Sequence, residues 1–217
     1  MFLCPTKAIM DGLDLPVSKS LLHRLPIQPD TQTELPSDKL RMFFAGTLFF
    51  SKGVDVLLEA LSMLEPSIEF ELEIAGSGDQ SGALQQQVAD YGLSAKVRFL
   101  GQLSAAEMNS AYHRANVQVL PSRVPENSPL TVLEAGIRGR ASIASHAGGV
   151  PELILGSRGW TFPSESSPDL ANKISEIAND LGILAVKGGN MQKWVRSEFD
   201  PSRHWAQLQA NYKQLIS

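Results

Sequence analysis

From Arg41 onward, short apolar runs and helix-period segments take turns along the chain, and that alternation narrows the possible folds more than any other feature. Met42 to Ala45 is continuously apolar and breaks at Gly46, as a strand covered on both faces reads. Val54, Leu57, Leu58, Leu61 and Leu64 then recur at helical spacing, and Pro66 stops them. Phe70 to Ala75 reads as a strand, Gly76-Ser77-Gly78 as a turn, and Ala83 to Tyr91 as a helix ending at Gly92. Val97 to Leu100 is a strand stopped by Gly101, and Ser104-Ala105-Ala106-Glu107 is a capping box that opens a helix to about Arg114. Val117 to Leu120 is a strand, followed by a Pro-rich loop to Pro129 and a helix to about Ile137. Ala141 to Ser145 is a strand, Pro151 opens a short helix, and Gly159 to Phe162 reads as a last strand. Ser167 to Ser217 is helical, with breaks expected near Gly188-Gly189 and Asp200-Pro201.

Strands that alternate with helices pair in parallel, and right-handed crossovers put helices on both faces. The pattern predicts an α/β fold: a Rossmann-like doubly wound parallel sheet of about six strands with a helical C-terminal extension. Ligands of such sheets bind outside the carboxyl ends of the strands, so the chemistry is expected in the loops that follow them. Residues 1 to 40 read differently. Phe2-Leu3-Cys4-Pro5 opens as a strand, a helical turn reaches Met10, and Asp14 to Asp38 holds Pro16, Pro26, Pro29 and Pro36 with no sustained period. Each proline removes a donor and pushes its predecessor out of the helical region, which is linker chemistry.

Composition excludes several functional classes. Lys plus Arg is 19 against 23 for Asp plus Glu, a net charge of −4, so no global attraction to nucleic acid or anionic membrane is expected. A chain of 217 residues can bury a sizeable core without a metal or disulfide staple. The single cysteine, Cys4, excludes an internal disulfide framework and fits a reducing compartment. His23, His113, His146 and His204 are scattered, with no metal-site spacing.

The post-strand loops carry the candidates. In Gly46-Thr47-Leu48-Phe49-Phe50-Ser51-Lys52-Gly53, Gly46 permits a tight strand exit and Ser51 is a candidate N-cap. Lys52, in the first turn of the next helix, places a flexible charge where helix amides already favour anions. Gly76-Ser77-Gly78 is half of a dinucleotide fingerprint, but the third glycine is missing and no acid ends the following strand. A nicotinamide-linked oxidoreductase therefore has little support. In the fourth loop, Pro129 suits the first helical position and Ser128 can cap, leaving the amides of Leu130 and Thr131 pointing into the cleft. Glu126 in that loop and Glu134 on the helix can face one ligand from two sides, and carboxylates accept from vicinal hydroxyls. Two surface acids would give the same spacing, although Glu134 lies inside Val132-Leu133-Glu134-Ala135, an apolar run. Gly148-Gly149, ahead of Pro151, allows close backbone approach at the same edge, beside His146 as a ligand contact or a plain loop residue.

Taken in order and spacing, these residues resemble a known family. Gly46…Lys52-Gly53, Ala75-Gly76-Ser77-Gly78, Phe99-Leu100-Gly101, Pro121-Ser122, Glu126 with seven residues before Glu134-Ala135, and Gly148-Gly149-Val150-Pro151-Glu152 look like the C-terminal half of GT-B fold glycosyltransferases of family 4. The resemblance covers about residues 41 to 160. It implies the nucleotide-sugar-binding half of a retaining, metal-independent hexosyltransferase needing no cofactor beyond its UDP- or GDP-sugar substrate. It makes Lys52 and Glu126 the catalytic candidates, with Lys52 on the donor diphosphate, Glu126 on the transferred sugar and Glu134 on the ribose hydroxyls. Backbone from Leu100 through Gly101 to Gln102 would hold the base. Gly46, Thr47, Gly76, Asn127, Ser128, Pro129, Leu130 and Thr131 complete the expected donor site. Two departures stand out: Thr47 replaces the arginine usual after the first loop glycine, and Asn127-Ser128-Pro129 replaces a glycine-rich stretch.

The resemblance also implies a partner. Residues 1–40 would be the tail of an N-terminal acceptor domain plus linker, 41–200 the donor-binding domain, and 201–217 a helix that docks on the missing domain. Trp205, Leu208 and Tyr212 would then lack their partner surface, and the chain alone would not be active. The parent enzyme would be cytoplasmic, with peripheral association at the inner membrane face open to it. The rival reading is a non-catalytic nucleotide- or carbohydrate-binding module.

Overall fold

The structure, a computed structural model, describes residues 2–12, 20–30 and 34–216. A small unit comes first, made of strand β1 (Phe2–Cys4), helix α1 (Lys7–Gly12) and strand β2 (Ser20–Leu22), with β1 and β2 paired in parallel. The main body follows as β3 (Leu40–Ala45), α2 (Val54–Ser62), β4 (Phe70–Ala75), α3 (Ser81–Asp90), β5 (Val97–Gly101) and α4 (Ala105–Arg114). It continues with β6 (Val117–Leu120), α5 (Leu130–Ile137), β7 (Ala141–Ser145), α6 (Val150–Ile154) and β8 (Gly159–Phe162). Helices α7 (Ser167–Asn179), α8 (Gly182–Glu198) and α9 (Pro201–Ile216) come last.

Strands β3 to β8 form one parallel sheet in the order β5-β4-β3-β6-β7-β8. The chain winds outward from β3 through β4 to β5, then returns to β6 on the other side of β3. That reversal opens a crevice between the carboxyl ends of β3 and β6, where ligands of doubly wound sheets bind. Both faces of β3 are covered, which is why Met42 to Ala45 reads as a continuous apolar run. Along β3, Met42 and Phe44 join Leu57, Leu58, Leu170 and Ile174 on the side of α2 and α7. Phe43 and Ala45, pointing the other way, meet Ala111, Tyr112 and Ala135 from α4 and α5. The Ser104 capping box forms as expected: the Glu107 amide donates to Ser104 Oγ, and Glu107 Oε2 accepts from the Ser104 amide at 2.8 Å.

Several element boundaries differ from the sequence expectation, each for a tertiary reason. The segment read as linker contains β2, because His23 and the strand before it pair with β1; its residues 14–19 and 31–33 lie outside the described residues. Likewise Ser217, at the end of the expected helical tail, lies outside them. α3 starts at Ser81 rather than Ala83, since Ser81 Oγ closes the preceding turn onto Gly78. The helical tail breaks at Asp200-Pro201 as expected, but its other break falls at Asp180-Leu181, and α8 runs straight through Gly188-Gly189. Gly188 is there for proximity: a Cβ on it would stand 2.0 Å from the carbonyl oxygen of Gly139. Alanine is the better helix former by about 1 kcal/mol, yet overpacking a tight contact costs about 1–3 kcal/mol. Gly188→Ala is therefore expected to lower the melting temperature; an unchanged or raised value would count against this close approach.

The small first unit sits on the main body through specific contacts. Thr6 is buried and donates to Asn127 Oδ1 at 3.1 Å. Glu152, in the first turn of α6, accepts from the Lys7 amide and from Arg24, both at 2.8 Å. His23 packs on the ring of His204 in α9, with centroids 4.5 Å apart. Along α9, Trp205 and Tyr212 are exposed and Leu208 is half-buried.

Candidate functional site

The loops after β3, β4 and β5 lie on one another at the carboxyl edge. The Gly46 amide donates to the Ala75 carbonyl, the Leu48 amide to Ser77, and the Gly76 amide to Gly101. Gly76, at φ +132°, leaves no room for a side chain, since a Cβ would fall 1.8 Å from the Gly46 carbonyl oxygen. The Gly76-Ser77-Gly78 turn thus serves loop stacking, as Gly78 does against Leu48.

Loop one is tied just as firmly to the loop after β6. Phe50–Lys52 forms a 3-10 turn, and Gly53, in the left-handed region at φ +65°, passes so close to Pro121 that a Cβ would meet its carbonyl oxygen at 2.1 Å. The Arg123 amide donates to Ser51 at 2.8 Å, while the Arg123 guanidinium grips Asp55 through two bonds of 2.7 and 2.6 Å. This geometry corrects two expectations. Ser51 does not cap α2; Gly53 occupies the cap position, and Lys52 ends the turn before the helix instead of lying in its first turn. The consequence is that Lys52 Nζ reaches Glu126 Oε1 at 2.7 Å, both side chains being only partly exposed.

Glu126 is held from behind by the loop after β7. The Gly149 amide donates to the Glu126 carbonyl at 2.6 Å, and a Cβ on Gly148 would strike that oxygen at 2.3 Å. Pro129 occupies the N-cap of α5 rather than its first helical position, and no side chain caps the helix. Ser128, expected as the cap, instead keeps a buried Oγ with no hydrogen-bond partner among the described residues. The first amides of α5 therefore lack a side-chain acceptor at a positive helix end.

Together these loops enclose an open cleft of about 450 Å³ at the β3/β6 crevice. Gly46, Thr47, Lys52, Glu126, Asn127, Ser128, Pro129, Leu130 and Thr131 line it. Gly76, Gly101, Gln102 and Glu134 are outside this lining: Gly76 supports the loop from below, Gly101 and Gln102 are exposed at the end of β5, and Glu134 is one turn further along α5. Leu25, which the sequence reading missed, also lines the cleft. Its position in a Pro-rich stretch without periodicity offers no local signal. Chemically, a lysine and uncapped helix amides suit an anion, and a carboxylate opposite them suits hydroxyl donors.

Comparison with known proteins decides the family: the profile described as "Glycosyl transferases group 1" matches residues 29–189. The chain belongs to the group 1 glycosyltransferases. It is similar to an uncharacterized glycosyltransferase of Methanocaldococcus jannaschii, 30% identical over 165 residues, which covers 75% of this chain and 42% of that protein. It also resembles a lipopolysaccharide core biosynthesis mannosyltransferase of Rhizobium leguminosarum bv. viciae, 29% identical over 221 residues, covering 98% of this chain and 60% of the other. Among solved structures, Anabaena HepE in complex with UDP and glucose superposes with a TM-score of 0.85 at 20% identity, covering 98% of this chain and 62% of HepE. Sucrose-phosphate synthase from Thermosynechococcus elongatus gives 0.84 at 26% identity, over 99% of this chain and 58% of that one. This glycosyltransferase chain thus spans less than two thirds of the length of each of these relatives.

Proposed function

We propose that the cleft binds a nucleotide-sugar and that the chain is the donor-binding part of a retaining, family 4 type hexosyltransferase. The observation that carries this reading is the convergence of Lys52, Glu126 and the uncapped start of α5 at the sheet's switch point. UDP and glucose bound by HepE, a protein of the same fold, support it. In this reading Lys52 and the amides of Leu130 and Thr131 face the diphosphate. Glu126 accepts from the transferred sugar, Glu134 from the ribose hydroxyls, and the backbone at Gly101-Gln102 borders the base. As the glycosidic bond breaks, negative charge gathers on the departing nucleoside diphosphate, and preorganised donors stabilise it without a metal in the step. Thr47 leaves Lys52 as the one cation among the described residues that line the cleft, so Lys52 carries a charge role that two groups share in the family pattern.

The acceptor would be held by an N-terminal domain of which residues 1–40 are the tail, with residues 201–217 returning to dock on it. The exposure of Trp205 and Tyr212, and the partial coverage of relatives, support that division. A thermal-shift panel tests the donor reading. Any ligand at a hundred times its Kd adds about 2.7 kcal/mol of stability, so UDP, GDP or ADP at millimolar concentration is expected to raise the melting temperature by several degrees. No shift with any of the three would sink it.

A further inference from the structure

Glu134 poses a problem that the cleft does not solve. It is half-buried on α5 between residues that belong to the core, a place where an ionised group needs a fixed partner. The partner is Tyr112 of α4. Its hydroxyl donates to Glu134 Oε2 at 2.9 Å, with the Thr131 carbonyl as a longer alternative acceptor at 3.3 Å. The other carboxylate oxygen, Oε1, makes no hydrogen bond among the described residues.

Tyr112 has little freedom to do anything else. It is 1% exposed, with Phe43 of β3 edge-on to its ring at 4.9 Å and the Arg138 guanidinium over the ring at 4.9 Å. Arg138 is itself committed, to Asp30 at 2.7 Å, to Asn109 at 2.9 Å and to the Glu134 carbonyl at 2.8 Å, and so does not compete for the carboxylate. Burial, and then the neighbouring Glu134 carboxylate, push the phenol well above its ordinary pKa, which keeps it a neutral donor.

We propose that Tyr112 is a positioning residue: its hydroxyl fixes the Glu134 rotamer, leaving Oε1 to accept from a vicinal diol on the nucleotide. The proposal rests on the nucleotide-sugar reading above and adds a residue that touches no ligand.

The test is calorimetric titration of wild type, Y112F, E134A and the double variant with UDP, GDP and ADP, each beside its 2′,3′-dideoxy counterpart. Loss of the hydroxyl–carboxylate bond, which acts on the ligand only through Glu134, is expected to weaken binding of the ribonucleotide by about fivefold in Y112F. The dideoxy counterpart, which offers Glu134 no diol, is expected to lose less than twofold, and Y112F is expected to add nothing on an E134A background. An equal loss for both ligands, or none for either, would overturn the positioning role and leave donor binding intact. Wild type that binds none of the nucleotides would overturn both readings. Because each comparison is made within one protein, a modest loss of Y112F stability does not blur it.

Discussion

Lys52→Ala is expected to remove the thermal shift produced by nucleoside diphosphates and to weaken their binding about 10–100-fold. The physical reason is that a charge-assisted hydrogen bond to an anion contributes about 1.5–3 kcal/mol, and among the described residues no second cation lines the cleft to compensate. Lys52 is not idle in the structure, because its ammonium is paired with Glu126 at 2.7 Å. A diphosphate must therefore compete with Glu126 for Lys52. That competition makes the opposite variant informative. Glu126→Gln frees the lysine from a partly exposed ion pair, a contact that contributes up to about 1 kcal/mol. UDP is then expected to bind as well as in wild type or up to about fivefold more tightly, while a nucleotide-sugar gains less if, as proposed, Glu126 accepts from the sugar. Calorimetry with UDP and UDP-glucose on the three proteins decides the matter. Unchanged UDP affinity in Lys52→Ala would remove Lys52 from the diphosphate.

The second large effect is on stability. Arg140 is entirely buried, and its guanidinium donates to the carbonyls of Tyr112, His113 and Ala115 at 3.1, 3.0 and 3.1 Å, of Arg138 at 2.7 Å and of Glu34 at 3.3 Å. The first three belong to the last turn and C-cap of α4, where carbonyls have no intrahelical donor. A cation there also complements the negative end of the helix. Burial, reinforced by Arg138, brings its pKa down to about 10, so the group remains cationic at neutral pH. Arg140→Met fills much of the volume but strands several buried carbonyls, at about 1–3 kcal/mol for each one left unsatisfied. The expected loss is about 3–5 kcal/mol, or roughly 10 °C in melting temperature for a domain of this size. Arg140→Lys is expected to recover only part of it, since an ammonium cannot span the same fan of acceptors. A melting temperature within two degrees of wild type would show that water or backbone donors replace the guanidinium.

Arg140 and Tyr112 also mark where sequence reading stops. Nothing about Arg140 in Gly139-Arg140-Ala141 distinguishes it from a surface arginine, and Tyr112 reads as one more core aromatic at helical spacing. Tyr112 joins α4 to β3 and α5, and Arg140 joins the end of α4 to the end of α5, elements whose mutual placement follows from sheet order. The loop after β6 shows the same limit on a smaller scale. Its helix start was legible from Pro129 and its two glutamates from their spacing, but the partner of Glu126 was not, because the Lys52–Glu126 contact joins residues 74 apart. Thr6 and Asn127, which tie the first unit to the same loop, are 121 apart.

What could be read along the chain was whatever physics acts within a few residues. Two-sided strand burial, helical spacing, the Ser104 capping box and glycine or proline stops gave the parallel six-stranded sheet, and with it the edge where the cleft lies. The ordered loop motifs pointed to the family. Tertiary structure alone decided that Gly188 spaces two backbones instead of breaking a helix, that Gly53 rather than Ser51 caps α2, and that Lys52 meets Glu126 while Tyr112 meets Glu134. Periodicity and turn chemistry reflect energies between near neighbours in sequence; these contacts exist only once the sheet has brought distant loops and helices to one edge.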